Sequence, residues 1–229
     1  MALFTRVSPS IIATKYNDDQ VLDAALADME KAGANFVHLD VMDGKFVKNT
    51  TFDYKFVDHV KEKTMLMLDV HLMVENPEAV VDKYIEAGAD LLTFHFEATD
   101  NPEKLIRHIK SKNVLCGIAI SPETPVYKIK DLLKSDLVDV VLVMSVHPGA
   151  YGQEFIPGSA EKVAEVRELS RSVYIEVDGG VNLKNSKVLR KLGANILVSG
   201  STIFTSKNMR KTINALKGRS WAVKLRGIF

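Results

Sequence analysis

Cysteine is almost missing from this chain. Cys116 stands alone, so no disulfide can form within the chain, which fits a reducing compartment. It lies in the apolar run Val114-Leu115-Cys116-Gly117-Ile118, where a buried structural thiol is expected. An excess of charge is missing too: 30 Lys and Arg stand against 29 Asp and Glu, a formal net charge of +1. That excludes the basic footprint of a nucleic-acid binder. The strongest apolar run, Val138 to Met144, contains Asp139 and is far too short to span a bilayer. Met1-Ala2-Leu3-Phe4-Thr5-Arg6 lacks the layout of a signal peptide. No linker, low-complexity stretch or charge block divides the sequence. We therefore expect a soluble, cytoplasmic protein with one domain over residues 1–229, including a basic tail from about 218. Neither nucleic acid nor membrane is an expected partner, and a homo-oligomer is expected.

What the chain does contain is two alternating periodicities. Apolar, often β-branched runs fall near residues 5–12, 35–41, 66–72, 90–96, 114–120, 138–145, 173–178 and 195–199. Helical spacing fills the intervals. It is clearest over Asp18 to Lys31, where Val21, Leu22, Ala25, Leu26 and Met29 recur at steps of three and four. Further helical segments lie at about 53–63, 77–87, 101–112, 125–134, 159–171, 183–192 and 206–217. Strand followed by helix, eight times over, predicts an α/β fold with a parallel sheet closed into a (β/α)8 TIM barrel. A short repeat supports the count: Ala32-Gly33-Ala34, Ala87-Gly88-Ala89 and Leu192-Gly193-Ala194 each follow a helical pattern and precede a strand. Glycine there supplies the left-handed cap of a helix-to-strand turn.

In such a barrel the chemistry belongs at the carboxyl ends of the strands. Those ends read Val37-His38-Leu39-Asp40, Asp69-Val70-His71, Phe94-His95, Met144-Ser145 running into Val146-His147, Glu176-Val177-Asp178 and Ser199-Gly200-Ser201. Alternation puts His38 with Asp40 on one face, and does the same for Asp69 with His71 and Glu176 with Asp178. Two imidazoles (His38, His71) and two carboxylates (Asp40, Asp178) converging on the mouth would suit one borderline divalent cation: zinc, iron(II), manganese or cobalt. A single histidine at a strand end is more often a hydrogen-bonded core residue, but four candidates on three strands favour a metal site. Glycine-containing turns at Gly149-Ala150-Tyr151-Gly152, Gly179-Gly180 and Gly200-Ser201 suit a phosphate group held by backbone N–H groups. Met42, Met73 and Met144 also fall at strand ends, where they fit either ordinary packing or an apolar cap over a reactive intermediate.

At these positions the chain resembles the ribulose-phosphate 3-epimerase family. The resemblance is carried by Ser8-Pro9-Ser10-Ile11, His38-Leu39-Asp40-Val41-Met42-Asp43-Gly44, Asp69-Val70-His71-Leu72-Met73-Val74 and Met144-Ser145-Val146. Pro148-Gly149 with Gly152-Gln153, Ile175 to Val181 and Val198-Ser199-Gly200-Ser201 complete it, over roughly residues 7–204. It implies a metal-dependent isomerase that inverts C3 of a ketose phosphate, interconverting ribulose 5-phosphate and xylulose 5-phosphate in the pentose phosphate pathway. It implies His38, Asp40, His71 and Asp178 as metal ligands, with Asp40 and Asp178 also the acid/base pair. Ser10 and His71 become substrate contacts, and Gly149 to Gly152, Gly179, Gly180, Gly200 and Ser201 the phosphate loops. Inversion next to a ketone needs a proton removed from one face and one returned to the other, with the enediolate between stabilised by the metal.

The departures lie in the loops. The family's usual Pro-Gly-Phe-Gly-Gly-Gln reads Pro148-Gly149-Ala150-Tyr151-Gly152-Gln153 here, and Lys48 and Asp53 replace a common proline and glycine. A positive φ at Tyr151 would cost on the order of 1–2 kcal/mol. Ala150 in place of phenylalanine makes room for a longer substrate, so an epimerase of a six-carbon ketose such as allulose 6-phosphate is the nearest rival. Phosphate-binding barrels of another class, decarboxylases and synthases, use a catalytic lysine that these strand ends do not offer. A barrel that only bound sugar phosphate would have lost a ligand or a carboxylate, and none is lost.

Overall fold

The computed structural model describes residues 4–218. Eight strands run in the order β1 (Arg6–Pro9), β8 (Ile196–Ser199), β7 (Tyr174–Asp178), β6 (Val140–Met144), β5 (Leu115–Ile120), β4 (Leu91–His95), β3 (Met67–Met73) and β2 (Phe36–Met42), all neighbours parallel. The parallel bridge between Ser10 and His38 joins β1 to β2 and brings the ring round to closure. This is the (β/α)8 barrel that the alternating periodicities predict. The strands are nearly continuous apolar runs because helices cover one face and the barrel interior the other; β2 is buried along its whole length.

Helices α1 (Asp19–Ala32), α2 (Tyr54–Lys63), α3 (Val81–Glu86), α4 (Pro102–Ser111), α5 (Lys130–Lys134), α6 (Ser159–Leu169) and α7 (Ser186–Leu192) return the chain between strands. After β8 come a four-residue helix, α8 (Ser201–Phe204), and α9 (Met209–Leu216). The first turn of α1 is satisfied by Asp18, which accepts from the N–H groups of Gln20 and Val21. Gly33, Gly88 and Gly193 all carry positive φ, as the helix-to-strand turns require. Two expected helices are shorter than their periodicity: Pro77–Ala79 and Val126–Ile129 form 3-10 turns before α3 and α5. The first strand also stops early, because Ile11–Ala13 turn into a 3-10 segment. Asp53, the departure from the family pattern, accepts from the Phe56 N–H and caps α2.

The main core lies between strands and helices, while the barrel interior is layered. Phe36, Leu91, Val140 and Ile196 plug its lower end, and polar residues fill the levels above. Cys116 is buried, and burial pushes its thiol up, as expected of a structural cysteine. Among the described residues no helix is long and apolar enough to cross a membrane. The expected basic tail beyond Gly218 lies outside the described residues.

Candidate active site

Strand register assembles the site. Parallel pairing sets His38 beside Asp69, Asp40 beside His71, Met42 beside Met73, and Met144 beside Asp178. With side chains alternating, His38, Asp40 and His71 all point inward, and Asp178 meets them from β7. One ligand atom each from His38, Asp40, His71 and Asp178 lies within 4.8 Å of the others. His38 Nε2 is 3.3 Å from Asp40 Oδ1 and 4.0 Å from Asp178 Oδ2, and His71 Nδ1 is 3.2 Å from Asp40 Oδ1. Both rings are fully buried, whereas the Asp40 and Asp178 side chains are 8% and 18% exposed, so only the carboxylates reach the cleft.

The surroundings orient these groups. Asp69 accepts from the Ser8 hydroxyl at 2.7 Å and faces His38 Nδ1 at 2.7 Å. A carboxylate only accepts, so Nδ1 carries the hydrogen, and in the neutral ring Nε2 turns its lone pair toward Asp40 and Asp178. Ser10 donates to Asp40 Oδ2 at 2.8 Å. Burial disfavours charge on His38, but Asp69 and Asp40 outweigh it and hold the ring well above its ordinary value. Burial opposes the charge on Asp40 as well, yet His38 and His71 bring it well below the usual carboxylate range. Asp178 moves the other way: burial, then the charge of Asp40, pushes it up to about 7. Glu176 is also pushed up, by burial and by Asp69.

A divalent cation fits this donor set. Among the described residues, His38 Nε2 is buried without a hydrogen-bond partner and faces two carboxylates. Four carboxyl groups (Asp40, Asp69, Glu176, Asp178) crowd around two imidazoles, an excess of acidic groups that a bound cation would balance. Two imidazole nitrogens with two carboxylate oxygens suit a borderline metal. Burial holds His71 below its ordinary value and His95, behind it, at about 4.

The rim of the cleft is made of loops. Ser10, Asp40, Asp178, Gly179, Gly180, Gly200 and Ser201 line it, with Gly149, Ala150, Tyr151 and Gly152 on the overhanging loop after β6. Ser145 reaches the carbonyl oxygens of Asp178 and Gly179 at 2.8 and 2.6 Å, which fixes the turn after β7. Gly179 has φ +115°, and a Cβ there would sit 2.5 Å from Val146 Cγ2, so the turn requires glycine for its own packing as well. Met42 and Met73 pack with Val47 beside Phe46, and Met144 with Ala119, Leu142 and Val146. All three methionines also line the cleft, so packing and capping are compatible.

Tyr151 carries none of the strain that a positive φ would impose. Positive φ falls on Gly149 (+113°) and Gly152 (+79°), and Tyr151 is 66% exposed, away from the cage. Gln153 donates to the carbonyls of His147 and Ala150, and Asn49 to that of Gly149, which together hold the altered loop in shape. His147 is exposed and pairs with Glu123 at 3.1 Å, apart from the cage. Asp69, Glu176 and His95 stand at strand ends in the sequence, where no motif gives them a role. Ser8 is legible as the residue two before Ser10 on the same face; Glu97, in the short 3-10 turn Phe96–Ala98, carries no periodic signal.

A ring of eight parallel strands with a His/Asp cage able to hold a cation, set beside glycine turns, defines a TIM-barrel enzyme with its site at the carboxyl face. Residues 6–204 match the ribulose-phosphate 3 epimerase family. The ribulose-phosphate 3-epimerase of Bacillus subtilis is 38% identical over 218 residues, covering 93% of this chain and 98% of that protein. That of Treponema pallidum is 40% identical over 203 residues, 87% of this chain and 91% of the other. The chain belongs to the ribulose-phosphate 3-epimerase family and is an isomerase. A mutant tryptophan synthase α-subunit from Pyrococcus furiosus shares the barrel alone, with TM-score 0.66 and 18% identity over 96% of this chain and 97% of that one.

Proposed function

We propose that this protein interconverts ribulose 5-phosphate and xylulose 5-phosphate by inverting C3. The observation that carries the reading is the placement of two carboxylates, Asp40 on β2 and Asp178 on β7, in one cleft with two buried imidazoles behind them. Asp40 and Asp178 approach a bound ketose from different strands, so one removes the C3 proton while the other delivers a proton to the opposite face. Their duties exchange in the reverse direction. Ser10, through its hydrogen bond to Oδ2, keeps Asp40 aimed at the cleft. His38, Asp40, His71 and Asp178 are the residues that would hold one divalent cation: zinc, iron(II), manganese or cobalt. When bound, such a cation supplies a Lewis acid that stabilises negative charge developing on the substrate oxygens. Backbone N–H groups at Gly179-Gly180 and Gly200-Ser201, with the Gly149–Gly152 loop above, take the phosphate. Met42, Met73 and Met144 keep water from the planar intermediate.

A six-carbon ketose phosphate such as allulose 6-phosphate is the second reading, favoured by Ala150, whose small side chain leaves the rim open. The deciding experiment assays metal-replete protein on both substrates side by side. A higher kcat/KM on ribulose 5-phosphate supports the first reading, a higher value on allulose 6-phosphate replaces it with the second, and turnover of neither overturns both.

A further inference from the structure

His38 and His71 present ring nitrogens to the same cage, but their backing differs. His38 rests directly on the Asp69 carboxylate. Among the described residues, His71 has no carboxylate directly behind it; its Nε2 meets His95 Nε2 at 2.9 Å, edge to edge, with centroids 5.0 Å apart and ring planes 30° apart. His95 Nδ1 in turn faces Glu97 Oε2 at 3.1 Å. The other Glu97 oxygen accepts from the Ser121 N–H at 2.8 Å and from the Thr124 hydroxyl. Lys162 pins that same loop through the carbonyls of Ser121, Pro122 and Thr124. Phe46 lies against the His95 ring at 4.7 Å between centroids, with the planes tilted by 44°.

The direction of every hydrogen bond in this row follows from its outer end. An ionised Glu97 only accepts, so His95 Nδ1 must carry the hydrogen. In a neutral His95, Nε2 is then an acceptor, and the facing His71 Nε2 must donate to it. A neutral His71 protonated on Nε2 is left with its lone pair on Nδ1, the nitrogen 3.2 Å from Asp40 Oδ1 inside the cage. We infer that His95 and Glu97 are positioning residues that commit His71 to the tautomer presenting Nδ1 to a divalent cation. This rests on the reading of His38, Asp40, His71 and Asp178 as a cation cage. Outer partners of this kind govern metal affinity although they never touch the metal.

Glu97→Gln is the sharp probe. The Ser121 and Thr124 donors would keep the Gln carbonyl on their side, which turns the amide NH2 toward His95 Nδ1. His95 would then donate from Nε2, and His71 would be pressed to place its hydrogen on Nδ1, against the cage. Zinc is titrated against a competing chelator into metal-free wild type, Glu97→Gln, His95→Leu and the double variant. Glu97→Gln is expected to weaken zinc binding roughly 10- to 100-fold, and His95→Leu by a similar factor. In the His95→Leu background the second change should add no more than about twofold, because there is no ring left to reverse. A full additional loss there would assign Glu97 to loop anchoring and overturn the relay, as would wild-type zinc affinity in Glu97→Gln. Should the variants fail to fold, ring 15N shifts of zinc-loaded wild type decide alone: His95 protonated on Nδ1 is expected, and protonation on Nε2 would overturn it. Wild type that binds no zinc would overturn the cage, and the relay with it; zinc bound normally by both wild type and Glu97→Gln overturns the relay alone.

Discussion

The cage on β2, β3 and β7 and the glycine rim after β6, β7 and β8 face each other across one cleft, yet they are held by different means. In the cage, His38 and His71 are fully buried, and each rests on a defined acceptor or ring behind it. At the rim, single side chains grip backbone carbonyls: Tyr151 is 66% exposed, and the loop keeps its shape through the side-chain amides of Asn49 and Gln153. The cage is set by strand register, where a misplaced charge has nowhere to go. The rim is set by turns that tolerate substitution wherever no Cβ collision arises. Under the proposed function, chemistry sits where tolerance is least, and substrate fit where it is greatest.

The comparison breaks most sharply if the cage proves dispensable. Asp178→Asn and Asp40→Asn should each lower kcat for epimerisation about 100- to 10,000-fold in both directions. Each should still exchange the C3 hydrogen with solvent for the epimer presented to the remaining carboxylate, once metal content has been measured. Near-normal turnover by either metal-replete variant would sink the two-base assignment. Asp69→Asn, which removes the carboxylate behind His38, should weaken zinc binding roughly 10- to 100-fold; unchanged affinity in a chelator competition would contradict the orienting role of Asp69.

The rim is expected to fail through folding before it fails through chemistry. Gly179→Ala forces a Cβ to within 2.5 Å of Val146 at φ +115°. It should destabilise by at least about 2 kcal/mol, lowering Tm by roughly 4 °C or more, and an unchanged thermal transition would show that the turn relaxes freely. Acid adds a subtler test. Burial opposes the Glu97 charge, but His95, Thr124 and the Ser121 N–H outweigh it and bring its carboxyl to about 2. A depressed folded value means stability fully present above the ordinary value of 4.5 and lost as pH falls from there toward 2. Metal-free Glu97→Gln should therefore show a shallower stability loss over that window than wild type, and parallel curves would deny the effect. The smallest change is expected from Ala150→Phe, which should shift the kcat/KM ratio toward the shorter substrate within about tenfold. No shift would remove Ala150 from the determinants of substrate length.

The sequence by itself determined the eightfold alternation of strand and helix, hence the barrel. The period of two along each strand also determined that His38 goes with Asp40 and Glu176 with Asp178. These are local properties, carried by neighbours a few residues apart. Glycine positions were equally legible: the positive φ values fall on Gly149 and Gly152, which spares Tyr151. Only the tertiary structure decided which faces meet. The register that sets Asp40 beside His71 joins residues 31 apart in the chain, and Ser10 meets His38 only because the ring closes. Of the row from Glu97 through His95 to His71, only the two histidines at strand ends were readable; its outer member sits in the short 3-10 turn Phe96–Ala98, and its partners Ser121 and Thr124 follow a different strand. Alternation encodes the direction in which a side chain points; what it points at depends on register and closure, which no local pattern contains.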